Sequence, residues 1–187
     1  MINALILSFS IALQRFKQKL TQILNAAMLL GSTVNHKATS GSEPFILQLL
    51  LQQRYAEAYE LLINQRPVST AALYNTALCL HWSGNYEQAL SHLERIQFTP
   101  PVSRASPLNP DKDYREIRNK QNQTDDYLQG MSEAYVESFP ALVHDAIVRL
   151  KTNCWLQLSN YAKVIAIATP IAHKGYKDIT EALKSAR

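Results

Sequence analysis

The sequence predicts an all-α protein built of antiparallel helix pairs, and three observations predict it. Apolar residues recur at steps of three and four through every long segment, all five glycines and nearly all eight prolines fall at segment boundaries, and almost nothing alternates with the period of a strand. With 47% hydrophobic and 18% charged residues among 187, the composition supports a buried core and excludes a disordered chain. Two cysteines, with no CxxC or Cys/His cluster, exclude a disulfide scaffold and a structural zinc site. No glycine-rich stretch has the form of a phosphate-binding loop.

The first element is a long amphipathic helix over residues 1–31. Ile2, Ile6, Phe9, Leu13, Phe16, Leu20, Ile23, Ala27 and Leu30 alternate steps of four and three, which makes a heptad stripe, and Gly31 ends it. Packing on its own domain, pairing with a partner helix or second copy, and docking on a membrane surface all suit such a stripe. Ile6, Phe9, Leu13, Phe16, Leu20 and Ile23 would carry the helix pairing. Residues 4–13 are too few to cross a bilayer, which needs about 20. The basic residues follow the apolar run, unlike a secretory signal, so the expected location is cytoplasmic, with organelle targeting by this basic helix as the alternative.

Residues 32–42, rich in Ser, Thr, Gly and Asn, read as a linker to a helical domain over 43–187. Ser42 is placed to cap a helix through Phe45, Ile46, Leu49 and Leu50, and helical spacing continues through Tyr55, Ala58, Tyr59, Leu62 and Ile63 up to Pro67. Ser69 or Thr70 caps a helix from Ala71 to Trp82. Ser83-Gly84-Asn85 makes a turn, and Asn85 with Gln88 starts a helix running to about Ile96.

An insertion follows at about 97–139. It contains Pro107, Pro110 and a run from Arg118 to Asp126 with no apolar side chain, the signature of a solvated loop. Asp111 is placed to cap a helical turn through Tyr114 and Ile117, while Tyr127, Met131 and Tyr135, at steps of four, predict a helix ending before Pro140. Helical patterning resumes over Pro140–Leu158; Asn160 caps a helix to Ala168, and Asp178 with Glu181 caps a terminal one.

A repeat underlies these pairs. Leu73, Thr76-Ala77, Leu80, Gly84, Tyr86, Ala89, Leu93 and Pro101 set large side chains around two alanines and a turn glycine, which lets two helices approach closely. Leu49, Tyr55, Ala58 and Leu62 repeat the second half at a shift of 31 residues, and 146–171 repeat 71–96 at a shift of 75, sharing Ala146, Cys154, Asn160, Tyr161 and Ile171. The stretch AALYNTALCLHWSGNYEQALSHLERI resembles the tetratricopeptide repeat, whose unit is about 34 residues. The resemblance covers roughly residues 43–171 and implies about three degenerate repeats, stacked as a short superhelix with a terminal capping helix.

Charge and chemistry then limit function. Residues 1–42 hold Arg15, Lys17, Lys19, Lys37 and no acid, so the net +4 lies there, while the rest alternates in sign with no basic stripe for nucleic acid. His36, His81, His92, His144 and His173 are scattered, and only His144 adjoins a carboxylate, Asp145. Cys79 and Cys154 occupy equivalent repeat positions as small packing residues. The pairs Asp111/Asp113 and Asp125/Asp126 lie in the insertion without the further oxygen ligands of a calcium loop. No catalytic residue, metal or cofactor is expected.

The resemblance implies instead a groove lined by the first helix of each pair, here Tyr74, Asn75, Leu78, His81, Trp82, Arg149, Asn153 and Leu156. Arg149 and Asn153 resemble half of the clamp with which some members hold a C-terminal carboxylate. The expected function is a non-enzymatic adaptor or scaffold that binds a peptide or helix of a partner protein, with homodimerisation through the first helix as a further partner reading. One alternative is a chaperone resembling the bacterial secretion chaperones, which join an N-terminal helix to three repeats. The other is an enzyme subunit that uses the insertion as a lid.

Overall fold

The computed structural model describes residues 42–98 and 111–187, which belong to a unit spanning Ser40–Arg187. The heptad stripe, the linker up to residue 41 and residues 99–110 of the insertion lie outside the described residues. Within them the protein is all-α: α1 (Glu43–Leu51), α2 (Tyr55–Asn64), α3 (Thr70–Trp82), α4 (Tyr86–Glu94), α5 (Lys112–Gln121), α6 (Glu133–Ser138), α7 (Pro140–Gln157), α8 (Tyr161–Ala168) and α9 (Lys177–Ser185). Two 3-10 turns, Asp126–Leu128 and Thr169–Lys174, complete it, and no described residue is in a strand.

Three of the connections are the same turn. Gln53, Gly84 and Ser159, related by the shifts of 31 and 75, all have positive φ, at 59°, 80° and 55°. The amides of the next residues, Arg54, Asn85 and Asn160, each donate to the carbonyl five positions back, Leu49, Leu80 and Trp155, at 2.9 Å. This bond closes the first helix with a left-handed residue, and the second helix starts at once. Asn85 and Asn160 cap that start through their side chains, accepting from the amides of Gln88 and Lys163, whereas Arg54 instead pairs with Glu57.

Between the turns the packing follows the large and small pattern. Ala58, Ala89 and Val164, at equivalent places in the second helices, are completely buried, as is Ala77 opposite them on α3. The principal core joins Tyr74, Ala77 and Leu80 of α3 to Leu90 and Leu93 of α4 and to Val143, Ile147 and Leu150 of α7. A second cluster ties α1 to α2 through Ile46, Leu49, Leu50, Ala58 and Leu62, with Cys79. A third joins Ala168, Ile171, Tyr176 and Ile179 at the C-terminal end. Although the insertion separates them in sequence, α4 packs directly on α7, so the third pair follows the second as if it were its neighbour.

Several local expectations are corrected. The run from Phe45 to Ile63 is two helices, broken at Gln52–Arg54 by the turn just described. Ser42 stands at the N-cap of α1, but its hydroxyl makes no cap bond and accepts instead from Gln65 Nε2 at 2.8 Å. Ser69, not Thr70, caps α3. Asp111 does cap α5, which runs to Gln121 and so exceeds a single turn. Tyr127, Met131 and Tyr135 do not share a helix: Tyr127 lies in the 3-10 turn, Met131 in the stretch after it, and Tyr135 in α6, which Ser132 caps. Asp178 sits inside α9 behind an N-cap at Tyr176, its carboxylate turned to Arg149.

The turn equivalence predicts opposite effects of one atom. Left-handed backbone costs an L-residue about 1–2 kcal/mol, and an added Cβ at Gly84 would meet nothing within 4 Å, so Gly84→Ala acts through the backbone alone. Gly84→Ala should lower stability by about 1–2 kcal/mol and Ser159→Gly should raise it by about 0.5–1 kcal/mol, both read from urea unfolding midpoints.

Candidate functional site

The first-helix surface expected to form an open groove is largely covered, and the chain covers it with its own insertion. Tyr74, Asn75, Leu78 and Arg149 are buried, His81, Asn153 and Leu156 are half-buried, and only Trp82 stays well exposed, at 61%, stacked 4.7 Å from the Tyr55 ring. The covering stretch is Thr124–Met131. Asn75 donates from Nδ2 to the Met131 carbonyl and accepts the Met131 amide at Oδ1, both at 2.9 Å. The Tyr74 hydroxyl donates to the Tyr127 carbonyl, and Arg149 Nη2 donates to the Thr124 carbonyl at 2.8 Å. Asn153 Nδ2 donates to the Tyr127 hydroxyl at 3.0 Å, and its Oδ1 lies 2.9 Å from His81 Nε2. On α1, Leu47 and Leu50 close over Gly130, where a Cβ would fall 2.6 Å from Leu50 Cδ1.

Arg149 is the centre of this arrangement. It is 2% exposed, and all three guanidinium nitrogens have oxygen acceptors: Nε bonds Asp178 Oδ1 at 2.9 Å, Nη1 bonds Asp126 Oδ1 at 2.5 Å, and Nη2 takes the Thr124 carbonyl. Its plane lies between the rings of Tyr127 and Tyr176, each centroid 4.4 Å away. Burial pulls the guanidinium toward neutrality, but Asp178 and then Asp126 outweigh that and hold its pKa above the usual arginine value.

One turn earlier on α7, buried Asp145 receives Lys174 Nζ on both oxygens at 2.7 Å and the Tyr176 hydroxyl at 2.7 Å. Arg118 of α5 donates to the same hydroxyl at 3.0 Å and reaches Asp126 Oδ2 at 3.9 Å. Arg118, Arg149 and Lys174 thus face Asp126, Asp145 and Asp178 with charges balanced. Asn122 fastens the region to the C-terminal end, donating to the Lys174 carbonyl at 2.8 Å.

The insertion therefore departs from the expected solvated loop: Asn122, Tyr127 and Met131 are buried, and Asp126 answers a buried cation. His144 Nδ1 lies 3.5 Å from the neighbouring Asp145, a distant contact beside the lysine and tyrosine bonds. The sequence did hold one signal for this network, Asp145 and Arg149 at i and i+4 on a helix whose same face carries apolar residues. Nothing local marks Asp126, Lys174, Tyr176 or Asp178 as their partners.

Beside the segment opens a cleft of about 850 Å³. Its floor holds Arg118, Asp126, Asp145, Arg149 and Tyr176, and its exposed rim is Leu51, Tyr114, Tyr135 and Phe139 together with Gln53, Gln121 and Gln129. The floor holds its charges in pairs. Burial and the Asp145 bond push the Tyr176 phenol up to about 12, and burial does the same to the Cys79 and Cys154 thiols. Such groups stay protonated at neutral pH. The exposed lining combines large apolar and aromatic side chains, Leu51 at 82%, Tyr114 at 54% and Phe139 at 51%, with the uncharged Gln53, Gln121 and Gln129. Among the described residues no group of three or more His, Cys, Asp or Glu side chains could hold a metal, and no helix is long and apolar enough to cross a membrane.

Two outcomes follow from this network. Arg149→Met strands Asp126 and Asp178 beside a buried apolar chain and should cost about 3–5 kcal/mol, measured by urea unfolding at neutral pH. Burial raises the phenols of Tyr74, Tyr127 and Tyr176 above 10.0 and the thiols of Cys79 and Cys154 above 9.0. A folded-state pKa above the unfolded one gives stability that is complete below the unfolded value and lost as pH rises toward the folded value. The urea midpoint should therefore hold to about pH 9 and then fall steeply, by up to about 1.4 kcal/mol per pH unit for each titrating group, with phenolate absorbance rising together with unfolding. No family model, curated protein or solved structure matches this chain.

Proposed function

We propose that this chain is a non-enzymatic protein-interaction adaptor of tetratricopeptide type, and that its partner binds at the cleft rimmed by Leu51, Tyr114, Tyr135 and Phe139. The observation that carries this reading is the division of labour in the cleft. Its buried ionisable groups are bonded to one another, while its exposed lining sets Leu51, Tyr114, Tyr135 and Phe139 among the uncharged Gln53, Gln121 and Gln129, aromatic and aliphatic anchors beside neutral polar groups. The Tyr135 and Phe139 rings lie 5.2 Å apart and form one continuous surface. The three equivalent turns support the repeat resemblance, which supplies the adaptor class. Residues 124–131 cover the groove expected from that resemblance, and the cleft opens at the edge of this segment.

The test is affinity purification of the full chain from its source cell with quantitative mass spectrometry, comparing wild type with Leu51→Glu and Phe139→Glu. Ile165→Glu serves as control, since Ile165 is exposed but does not line the cleft. Truncating or charging an interface anchor costs roughly 1–2 kcal/mol or more. Retention of a reproducible partner should fall at least tenfold in both cleft variants, at unchanged melting temperature, and persist in the control. Equal retention in all four proteins would overturn the cleft assignment.

A further inference from the structure

The way Thr124–Met131 is held differs from ordinary core packing. Its main chain makes no backbone bond to α1, α3 or α7; side chains of the first helices grip its carbonyls and one amide. Asn75 takes the amide and carbonyl of Met131, Tyr74 the carbonyl of Tyr127, and Arg149 that of Thr124. These groups are present in any peptide, so the grip itself is blind to sequence. The segment also crosses the first helix of all three pairs, passing Leu50 on α1, Asn75 on α3 and Arg149 on α7. Selectivity comes from three places. Asp126 meets Arg149 and Arg118, the Tyr127 ring fills a buried site over the Arg149 guanidinium, and Gly130 passes Leu50 too closely for a Cβ, which leads Met131 into the core.

We infer that Thr124–Met131 is an intramolecular ligand, and that the site beneath it takes an extended segment of a partner protein with the same chemistry: an acidic residue, an aromatic directly after it, then a glycine three positions on and a flexible apolar residue. The partner segment and the chain's own segment compete for Asn75, Tyr74 and Arg149. The cleft lies along the segment's open edge and gives the competitor its entry. This deepens the adaptor reading and rests on it, since it names the chemistry of the partner.

The test uses the full chain and a fluorescent synthetic peptide of its own residues 122–133, NQTDDYLQGMSE, followed by anisotropy. Gly130→Ala weakens the internal segment without emptying the core. That variant should bind the peptide at least tenfold more tightly than wild type. Adding Asn75→Ala should reduce binding at least tenfold, and a peptide with alanine in place of its tyrosine and methionine should not bind. Binding of the Gly130→Ala protein to the peptide no tighter than to a scrambled one overturns the inference, while leaving the adaptor reading to the cleft variants. Should the variant fail to fold, amide exchange of the wild type decides. The amides of Leu128, Gln129 and Met131 should exchange at least tenfold faster than the centres of α3 and α7, because a ligand-like segment opens by itself; equal rates mean that it opens only with the core and overturn the inference.

Discussion

The arrangement of this protein turns on one buried cation. A guanidinium taken out of water loses several kcal/mol of hydration, and the loss is offset only where its donors all find acceptors and its charge finds carboxylates in good geometry. Arg149 meets that condition with parts of the chain that have no other reason to meet. Asp126 and the Thr124 carbonyl come from the insertion, Asp178 from α9, and the two flanking rings from the 3-10 turn and the start of α9. Asp145, one turn away, repeats the logic with opposite sign through Lys174 and Tyr176. Through these pairs the covering segment, α7 and the C-terminal helix share one charge network.

The same condition decides what is left for function. Polar side chains that a repeat groove would offer to a partner, Tyr74, Asn75 and Arg149, are already bonded to the main chain of residues 124–131. Their removal from the surface leaves exposed aromatic and aliphatic side chains as the principal attractive feature around the cleft. Burial also holds the Tyr176 phenol and the Cys79 and Cys154 thiols protonated well above neutral pH.

How much of this was legible in the sequence depends on how local the cause is. The pair turns were legible because Gly84, Asn85 and the alanines act within a few residues, and the shifts of 31 and 75 locate the same turn at Gln53 and Ser159, where no glycine announces it. Helix starts at Ser69, Asn85, Asp111 and Asn160 followed from side-chain caps for the same reason. The step of four between Tyr127 and Met131 misled, since two buried anchors of an irregular segment have the same spacing as one helix face. The polar run from Arg118 to Asp126 read as solvated because composition cannot show that one carboxylate meets an arginine 23 positions away. Asp178 has the form of a cap, but a buried guanidinium is the stronger claimant for its oxygen. The heptad stripe of residues 1–31 lies outside the described residues.

The insertion and the closed groove are then one event. Because α4 packs on α7 directly, the described residues 124–131 lie against the stack and not within it. A segment there carries amides and carbonyls that cannot be buried unbonded. It meets those needs where first-helix side chains present donors and acceptors. Crossing α1, α3 and α7 there, it satisfies its main chain, supplies Asp126 to Arg149 and buries Tyr127 and Met131 in the core shared by α3 and α7. A segment placed between two helix pairs thus lies across the first helices of those pairs, and Arg149 of α7 holds it through the Thr124 carbonyl and Asp126.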